Sequence, residues 1–331
     1  MKQIKRLLLA AMTFVTLSPT LLKADDVTVQ LLYIDNESVK AKMEKTIASI
    51  LTEANTAEAA GREMNYAKLG VASDVQNSLS MLWENSPFVT IDDAIIEKCV
   101  KTKGGYQVRN IGLLLKPLPE FRASVDDNED YQEAVFSFDT KGNMTAFALA
   151  IDSHLYGQIL RDGVDLKDHY RRELITDIVE RFGTAYNQKD MAFLENIFSD
   201  DALIITGHVI KRKKGDIPLP DKVELTKQSK REYLTRLQRV FNNNKYIHVK
   251  FEGIKVEMHP MKDGIYGVTL HQSYTSDHYH DEGYLFMIWD FRNESHPQIC
   301  VRSWQPDKYD DGTPIDPASI LQLNDFDSET I

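Results

Sequence analysis

Beyond residue 24 the chain switches between two hydrophobic periods, and it does so twice. From Ser38 to Ala60, apolar side chains fall at Val39, Met43, Ile47, Ile50 and Leu51. Steps of three and four place them on one helical face, with Asn36 or Ser38 as the cap. A second, short helix is predicted over Ser73 to Trp83, closed by Asn85-Ser86-Pro87. A third is predicted from Thr90 to about Val100, because Asp92 and Asp93 put acids where a first helical turn favours them. The pattern then turns β-like. Tyr106 to Leu115, Tyr131 to Phe138 and Met144 to Ile151 are strand runs bounded by Gly104-Gly105, Asp126 to Asp130 and Lys141-Gly142-Asn143. The last two flank an Asp-Thr-Lys-Gly-Asn turn, which predicts a hairpin.

A connector is read at about Ser153 to Gly163, and the second half repeats the order. Asp165 caps a long helix whose apolar stripe runs through Leu166, Tyr170, Leu174, Ile178, Phe182 and Tyr186 to Asn187. A short helix (Met191 to Phe198), a strand (Ala202 to Gly207) and a helix (Lys227 to Phe241) follow. Four strands then run over Ile247 to Met258, Ile265 to Tyr274, Gly283 to Phe291 and Gln298 to Trp304. Helices laid on a bent antiparallel sheet make an α+β architecture. From Pro306 the tail is acidic and proline-containing, and is expected to be a loosely packed extension.

The 331 residues suit two domains, with 42% hydrophobic and 27% charged residues, ordinary for globular protein. The formal charge of −11 argues against a nucleic-acid binder, which needs a clustered positive face. Met1 to Ala24 carries Lys2, Lys5 and Arg6 before a mostly apolar stretch from Leu7 to Leu22, then Lys23-Ala24. That layout is a secretory signal peptide, too short in its apolar run to span a bilayer. Removing its four cations from a charge of −11 leaves −15. The expected location is periplasmic or secreted, with no membrane contact after cleavage. Cys99 and Cys300 each sit among apolar neighbours and are expected to be buried free thiols. The domains are read as 1–24 signal peptide, 25–160 N-terminal α+β domain, 161–306 C-terminal domain and 307–331 acidic tail.

The segment Tyr186-Asn-Gln-Lys-Asp190 through Phe198-Ser-Asp-Asp201-Ala202 to Gly207 resembles the opening of the nuclear transport factor 2-like (SnoaL-like, cystatin-like) superfamily. Tyr279 to Phe291 and Val301 to Pro306 look like exported two-domain members from Bacteroidetes. The resemblance covers about Asp165 to Pro306. It implies a cone, in which a strongly curved sheet wraps long helices and leaves one open end. The first half, smaller, is read as a diverged relative of the same topology. Members of the superfamily place isomerase, dehydratase, hydrolase or plain binding functions in that cone, so the fold does not stand in for function.

Tyr186, His208, Tyr233, His271, Tyr274, Trp289 and Trp304 are the candidate ligand-binding residues, polar and aromatic groups on the second half's helices and strands. On a strand, His271, Ser273 and Thr275 point one way and Gln272 and Tyr274 the other. Asp290, lone acid of an apolar run, is the candidate catalytic carboxylate, with His271, Tyr233 and Tyr274 as further candidates and Arg302 as its cross-strand partner. Asp277-His278-Tyr-His280-Asp281-Glu282 has the residue types of a metal site but lies where a turn is expected, so no metal is assigned. Lys211-Arg212-Lys213-Lys214 is read as a solvated surface loop running into Gly215 to Pro220. Phosphate-loop, nucleophile-elbow and His-Glu-x-x-His motifs are absent from the sequence. The leading expectation is therefore an exported, non-catalytic binding protein whose cone takes a small molecule or a partner protein, without a cofactor. The alternatives are a pocket enzyme of isomerase, dehydratase or hydrolase type, and an interaction scaffold forming a homodimer through its open sheet face.

Overall fold

The structure, a computed structural model, describes residues 26–116, 131–214 and 217–326. The expected signal peptide, residues 1–24, and the expected Asp126 to Asp130 boundary lie outside them. Strand β1 (Thr28–Leu32) leads into helix α1 (Glu37–Ala59), then α2 (Ser73–Asn85). Five strands follow: β2 (Phe88–Thr90), β3 (Ala94–Lys101), β4 (Gly105–Leu115), β5 (Tyr131–Asp139) and β6 (Met144–Leu149). They form one sheet in the order β1-β3-β4-β5-β6, with β2 on β4 and a parallel β1–β3 pair. Asn36 caps α1 by accepting from the backbone of Ser38 and Val39, and Met43, Ile47, Ile50 and Leu51 bury the predicted face. The predicted hairpin is present, with Asp139 accepting from the amides of Lys141 and Asn143 and Gly142 at φ 73°.

The helix predicted from Thr90 to Val100 is instead β2, a turn and β3. Ile95, Ile96 and Val100 are β-branched, and β3 finds partners on both sides, β1 and β4. Asp92 and Asp93 occupy the turn between strands, and the Asp93 carbonyl accepts from Thr28. Cys99 is buried and Cys300 half-buried; both are free thiols, pushed up to about 11 by burial.

The second half opens with α3 (Ser153–Arg161), where sequence had suggested only a connector, and with the long α4 (Leu166–Asn187). Then come α5 (Met191–Ile197), β7 (Phe198–Lys214), β8 (Ile217–Ser229), α6 (Lys230–Asn243), β9 (Ile247–Met258), β10 (Ile265–Ser276), β11 (Tyr279–Asp290) and β12 (Gln298–Pro306). Their sheet runs β8-β7-β12-β11-β10-β9. The basic run Lys211 to Lys214 lies on β7, paired to β8, rather than in a loop. Pro218 and Pro220 masked β8 as a strand, but β8 is an edge strand, where missing amides are tolerated. Helix α6 starts three residues later than its apolar pattern suggested, because Ser229 and Glu232 form a capping box.

Helix α4 lies between the two sheets. One side packs Ile175, Ile178, Val179, Phe182 and Tyr186 into the second sheet's core. Gly183 permits the approach: a Cβ there would meet the Phe251 ring on β9 at 2.9 Å. The other side meets the first sheet with charge. Glu180 takes both amino groups of Arg109 on β4, one at 3.0 Å, and also accepts from the Ile151 amide. Arg109 stacks over the Tyr156 ring at 3.9 Å, and Gln107 donates to Asp177 at 2.8 Å.

Residues past Pro306 do not trail loosely. Ile315, Ile320 and Leu323 are buried, and Phe326 stacks on Phe286. Leu323 closes a cluster with Ile265, Phe286, Ile288 and Val301 on the outer face of the second sheet. The face expected to pair with a second copy is thus covered in part by the chain itself.

Two expected outcomes follow from this packing. Arg109→Met leaves the Glu180 carboxylate buried without its counter-charge and costs about 3–5 kcal/mol in urea unfolding, whereas Arg109→Met with Glu180→Gln recovers most of it. Equal losses for the single and double variants would refute the ion-pair account. His248 on β9 is buried, its Nε2 lacks a hydrogen-bond partner, and burial pushes its imidazole down to about 4. The unfolded chain therefore takes up a proton near pH 6.5 that the folded chain refuses until about 4. This stability is complete above pH 6.5 and is lost by about 3 kcal/mol as pH falls through that window, a slope that His248→Gln removes.

Candidate functional site

The curved sheet of the second half turns its inner face toward α4 and α6, and alternation along each strand decides what enters the cone. On β10, Gln272 and Tyr274 face inward and His271 outward; on β11, Leu285, Met287 and Trp289 point into the core. Strand β12 has an irregularity between Ile299 and Val301 that resets its alternation, so Arg302 and Trp304 both face inward. Helix α6 lies across the opening with Tyr233, Arg236, Leu237 and Val240. The result is a cavity of about 390 Å³.

Five of the seven predicted ligand-binding residues line it: Tyr186, His208, Tyr233, Tyr274 and Trp304. The other two do not. Trp289 is wholly buried in the core beside Phe291. His271 lies on the outer face, with Nε2 3.2 Å from Asp307 and its ring edge-on to Tyr284.

The expected Asp290–Arg302 pair is also absent. Asp290 faces Gln298 across the β11–β12 ladder, while Arg302 faces Met287. Asp290 is engaged by Arg292 two residues on, with Nε at 3.0 Å from both oxygens and Nη2 at 2.6 Å. Burial works against its charge, but Arg292 outweighs it and holds the carboxyl below its usual range. Asp290 is a surface strand-end acid, outside the cavity.

Arg302 is 6% exposed and lines the cavity from the inner face of β12. Its guanidinium lies over the Tyr233 ring, 5.1 Å from the centroid, and bonds the Tyr186 hydroxyl. The Tyr186 and Tyr233 hydroxyls bond each other in turn. Burial pushes the Tyr186 hydroxyl well above its ordinary range, so it stays neutral and able to donate. Asp281 on β11 is the cavity's one lining carboxylate. Its Oδ2 accepts from the Tyr279 hydroxyl at 2.8 Å. Burial raises its pKa, tempered by that bond and by His280 and Arg302. The acid-and-histidine run therefore splits: Asp281 turns inward, while His280 turns out to Thr275 at 2.9 Å. Among the described residues, no cluster of three metal-binding side chains occurs.

Four buried polar atoms on the lining side chains have no hydrogen-bond partner: Arg302 Nε, Trp304 Nε1, Tyr274 Oη and Asp281 Oδ1. Burial pushes the Tyr274 hydroxyl up to about 12, so it too is a neutral donor. Gly283 makes the Trp304 position possible, because a Cβ there would meet its ring at 2.9 Å. Sequence reasoning named Arg302 only as a partner for Asp290, and Asp281 only within a metal-like turn. Shared parity of Arg302 with Trp304 was the available signal for the first.

Among solved structures, the chain is similar over part of its length to nuclear transport factor 2-like proteins. One is from Cytophaga hutchinsonii, at 12% identity and TM-score 0.32 over 41% of this chain and 98% of that one. Another, of unknown function, is from Shewanella oneidensis, at 11% identity and TM-score 0.30 over 40% of this chain and 95% of that one. A naphthalene 1,2-dioxygenase aligns at 9% identity and TM-score 0.33 over 47% of this chain and 88% of that one. These likenesses are of fold alone. No family model and no curated protein matches the sequence.

Paired hydroxyl deletions test the hydrogen-bond assignment. Tyr186→Phe strips a partner from buried Tyr233 and Arg302 and is expected to cost about 1–3 kcal/mol. Tyr274→Phe removes a hydroxyl that interacts with Ser276 and with no buried charge, and is expected to cost less than Tyr186→Phe in the same urea titration. The reverse order would overturn the assignment.

Proposed function

We propose that the C-terminal cone is a binding pocket for a small organic molecule and that the protein acts by holding it rather than by turning it over. One observation carries this reading: aromatic walls and a few polar groups converge on a single cavity, with Tyr233, Tyr274, Trp304, Leu237 and Val240 surrounding Arg302 and Asp281. That mixture, mostly apolar with a few fixed polar atoms, is how small-molecule pockets achieve affinity and orientation. The Tyr186 and Tyr274 hydroxyls are pushed up by burial, which suits them to donate hydrogen bonds and not to take protons. If the leader of residues 1–24 directs export, the pocket works outside the cytoplasm.

The enzyme reading is favoured by one feature, the raised pKa of Asp281, since a carboxyl poised upward suits a general base. A second acid–base group beside it would be needed: of the four catalytic candidates, His271 and Asp290 lie outside the cavity, while Tyr233 and Tyr274 line it, as does His208.

A thermal-shift screen of the protein against metabolite, glycan and lipid libraries tests the proposal. Binding at a hundredfold excess over Kd is worth about 2.7 kcal/mol of apparent stability. Hits should be lost in Trp304→Ala and Tyr233→Ala and kept in His271→Ala, which changes only the outer face. Hits that survive the pocket variants, or a broad library with no hit, would defeat the pocket reading. Chemical conversion of a hit, abolished in Asp281→Asn, would replace binding with catalysis.

A further inference from the structure

Four arginines are buried among the described residues, and they fall into two kinds. Arg109 is paired with Glu180, Arg171 with Asp263 and Glu294, and Arg172 with Asp168 at 3.0 Å. Arg302 is the exception. Among the described residues no carboxylate lies within 4.0 Å of it, and its neighbours are the Tyr186 hydroxyl and the Tyr233 ring. A guanidinium cannot shed its charge to escape burial, as a lysine or histidine can. An unpaired buried charge is among the costliest groups a fold can keep. Asp281 in the cavity wall acts on Arg302 through space but forms no ion pair with it, and its Oδ2 is held by Tyr279.

Resting on the reading that the cone binds a small molecule, we propose that its ligand is an organic monocarboxylate with an aromatic or alicyclic body, whose carboxylate pairs with Arg302 on the inner face of β12. The donors match an oxyanion. Arg302 Nε and Trp304 Nε1 are N–H groups without a partner, and the Tyr274 hydroxyl is a third donor. Asp281 Oδ1, also without a partner, accepts from a hydroxyl or amino group on the same ligand. One full buried cation facing one acid suits a single negative charge better than a phosphate dianion. The body of the ligand lies against Tyr233, Leu237, Val240 and Trp304.

The test measures cinnamate, phenylacetate and cyclohexanecarboxylate beside their primary amides by calorimetric titration of the full chain. The acids should bind about ten- to hundredfold more tightly than the amides, the range expected when a charged hydrogen-bonded contact is lost. Arg302→Met should erase that difference while leaving the weak binding of the amides in place. Without ligand, Arg302→Met should also raise Tm by about 2–4 °C, because it removes an unpaired buried charge while keeping the volume. A structural arginine would give the opposite shift. Amides binding as tightly as acids, or acid binding unchanged in Arg302→Met, would overturn the carboxylate assignment and leave the pocket standing. Neutral ligands that bind and are lost in Trp304→Ala, with no acid binding, would do the same. Loss of the pocket reading itself would show differently, as the absence of any ligand sensitive to Trp304→Ala or Tyr233→Ala.

Discussion

The carboxylate of Glu180 lies in the middle of the molecule, between two β-sheets, and its surroundings are built to hold a charge there. Arg109 reaches it from the first sheet, the Ile151 amide from the segment joining the halves, and Tyr156 covers the guanidinium. Helix α4 can be buried on two sides only because these contacts are made. One side is a conventional apolar stripe on the second sheet. The other side carries Asp177, Glu180 and Thr184, and the Thr184 hydroxyl oxygen accepts from the Leu149 amide. Apolar contacts alone would let two sheets slide over a helix with little penalty. Directional bonds at buried charges fix the register, because any displacement leaves a charge unpaired.

That arrangement explains which elements were legible in the sequence. Helix α1 and the β5–β6 hairpin advertise themselves through local signals, a cap and a turn, and tertiary contacts agree with both. The Thr90 to Val100 segment failed because its acids mimic a helix start while its outcome depends on two partner strands, one of them β1, whose Thr28 pairs with Ala94. Strand β8 failed for a related reason. Its prolines are excluded from central strands, and nothing local says that the strand will sit at an edge. The tail was misjudged because its apolar residues, Ile315, Ile320 and Leu323, are single anchors spaced by polar ones, with no period to read.

The site was legible in its residue types more than in its directions. Aromatic and polar side chains on β10, β12 and α6 were named, and Tyr186, Tyr233, Tyr274 and Trp304 converge. Parity along a strand says which residues share a face, but the choice of face comes from what packs behind it. Phe286 and Ile288 are claimed by the chain's C-terminal segment outside, which sends Leu285, Met287 and Trp289 into the core. Trp289 then lies too deep to meet a ligand. Arg302 pairs with Met287, three residues short of Asp290 on the ladder, and the irregularity beyond Ile299 sets which face Arg302 takes, since one shifted residue in a strand reverses a side chain.

Seam and pocket share a helix, since Tyr186 follows Glu180 by six residues, about 9 Å along the axis of α4. The same element therefore shows how the fold treats two buried arginines. Arg109 meets a carboxylate from α4, so its charge is satisfied within the protein and serves to join the halves. Arg302 meets from α4 only a tyrosine hydroxyl, itself committed to Tyr233. A hydroxyl can orient a guanidinium, but it cannot neutralise one. Holding Arg302 in a fixed direction while leaving its charge unmatched is wasteful for stability and well suited to recognition. An anion arriving from outside then finds its counter-charge already desolvated and aimed, so little of its binding energy goes into ordering the site.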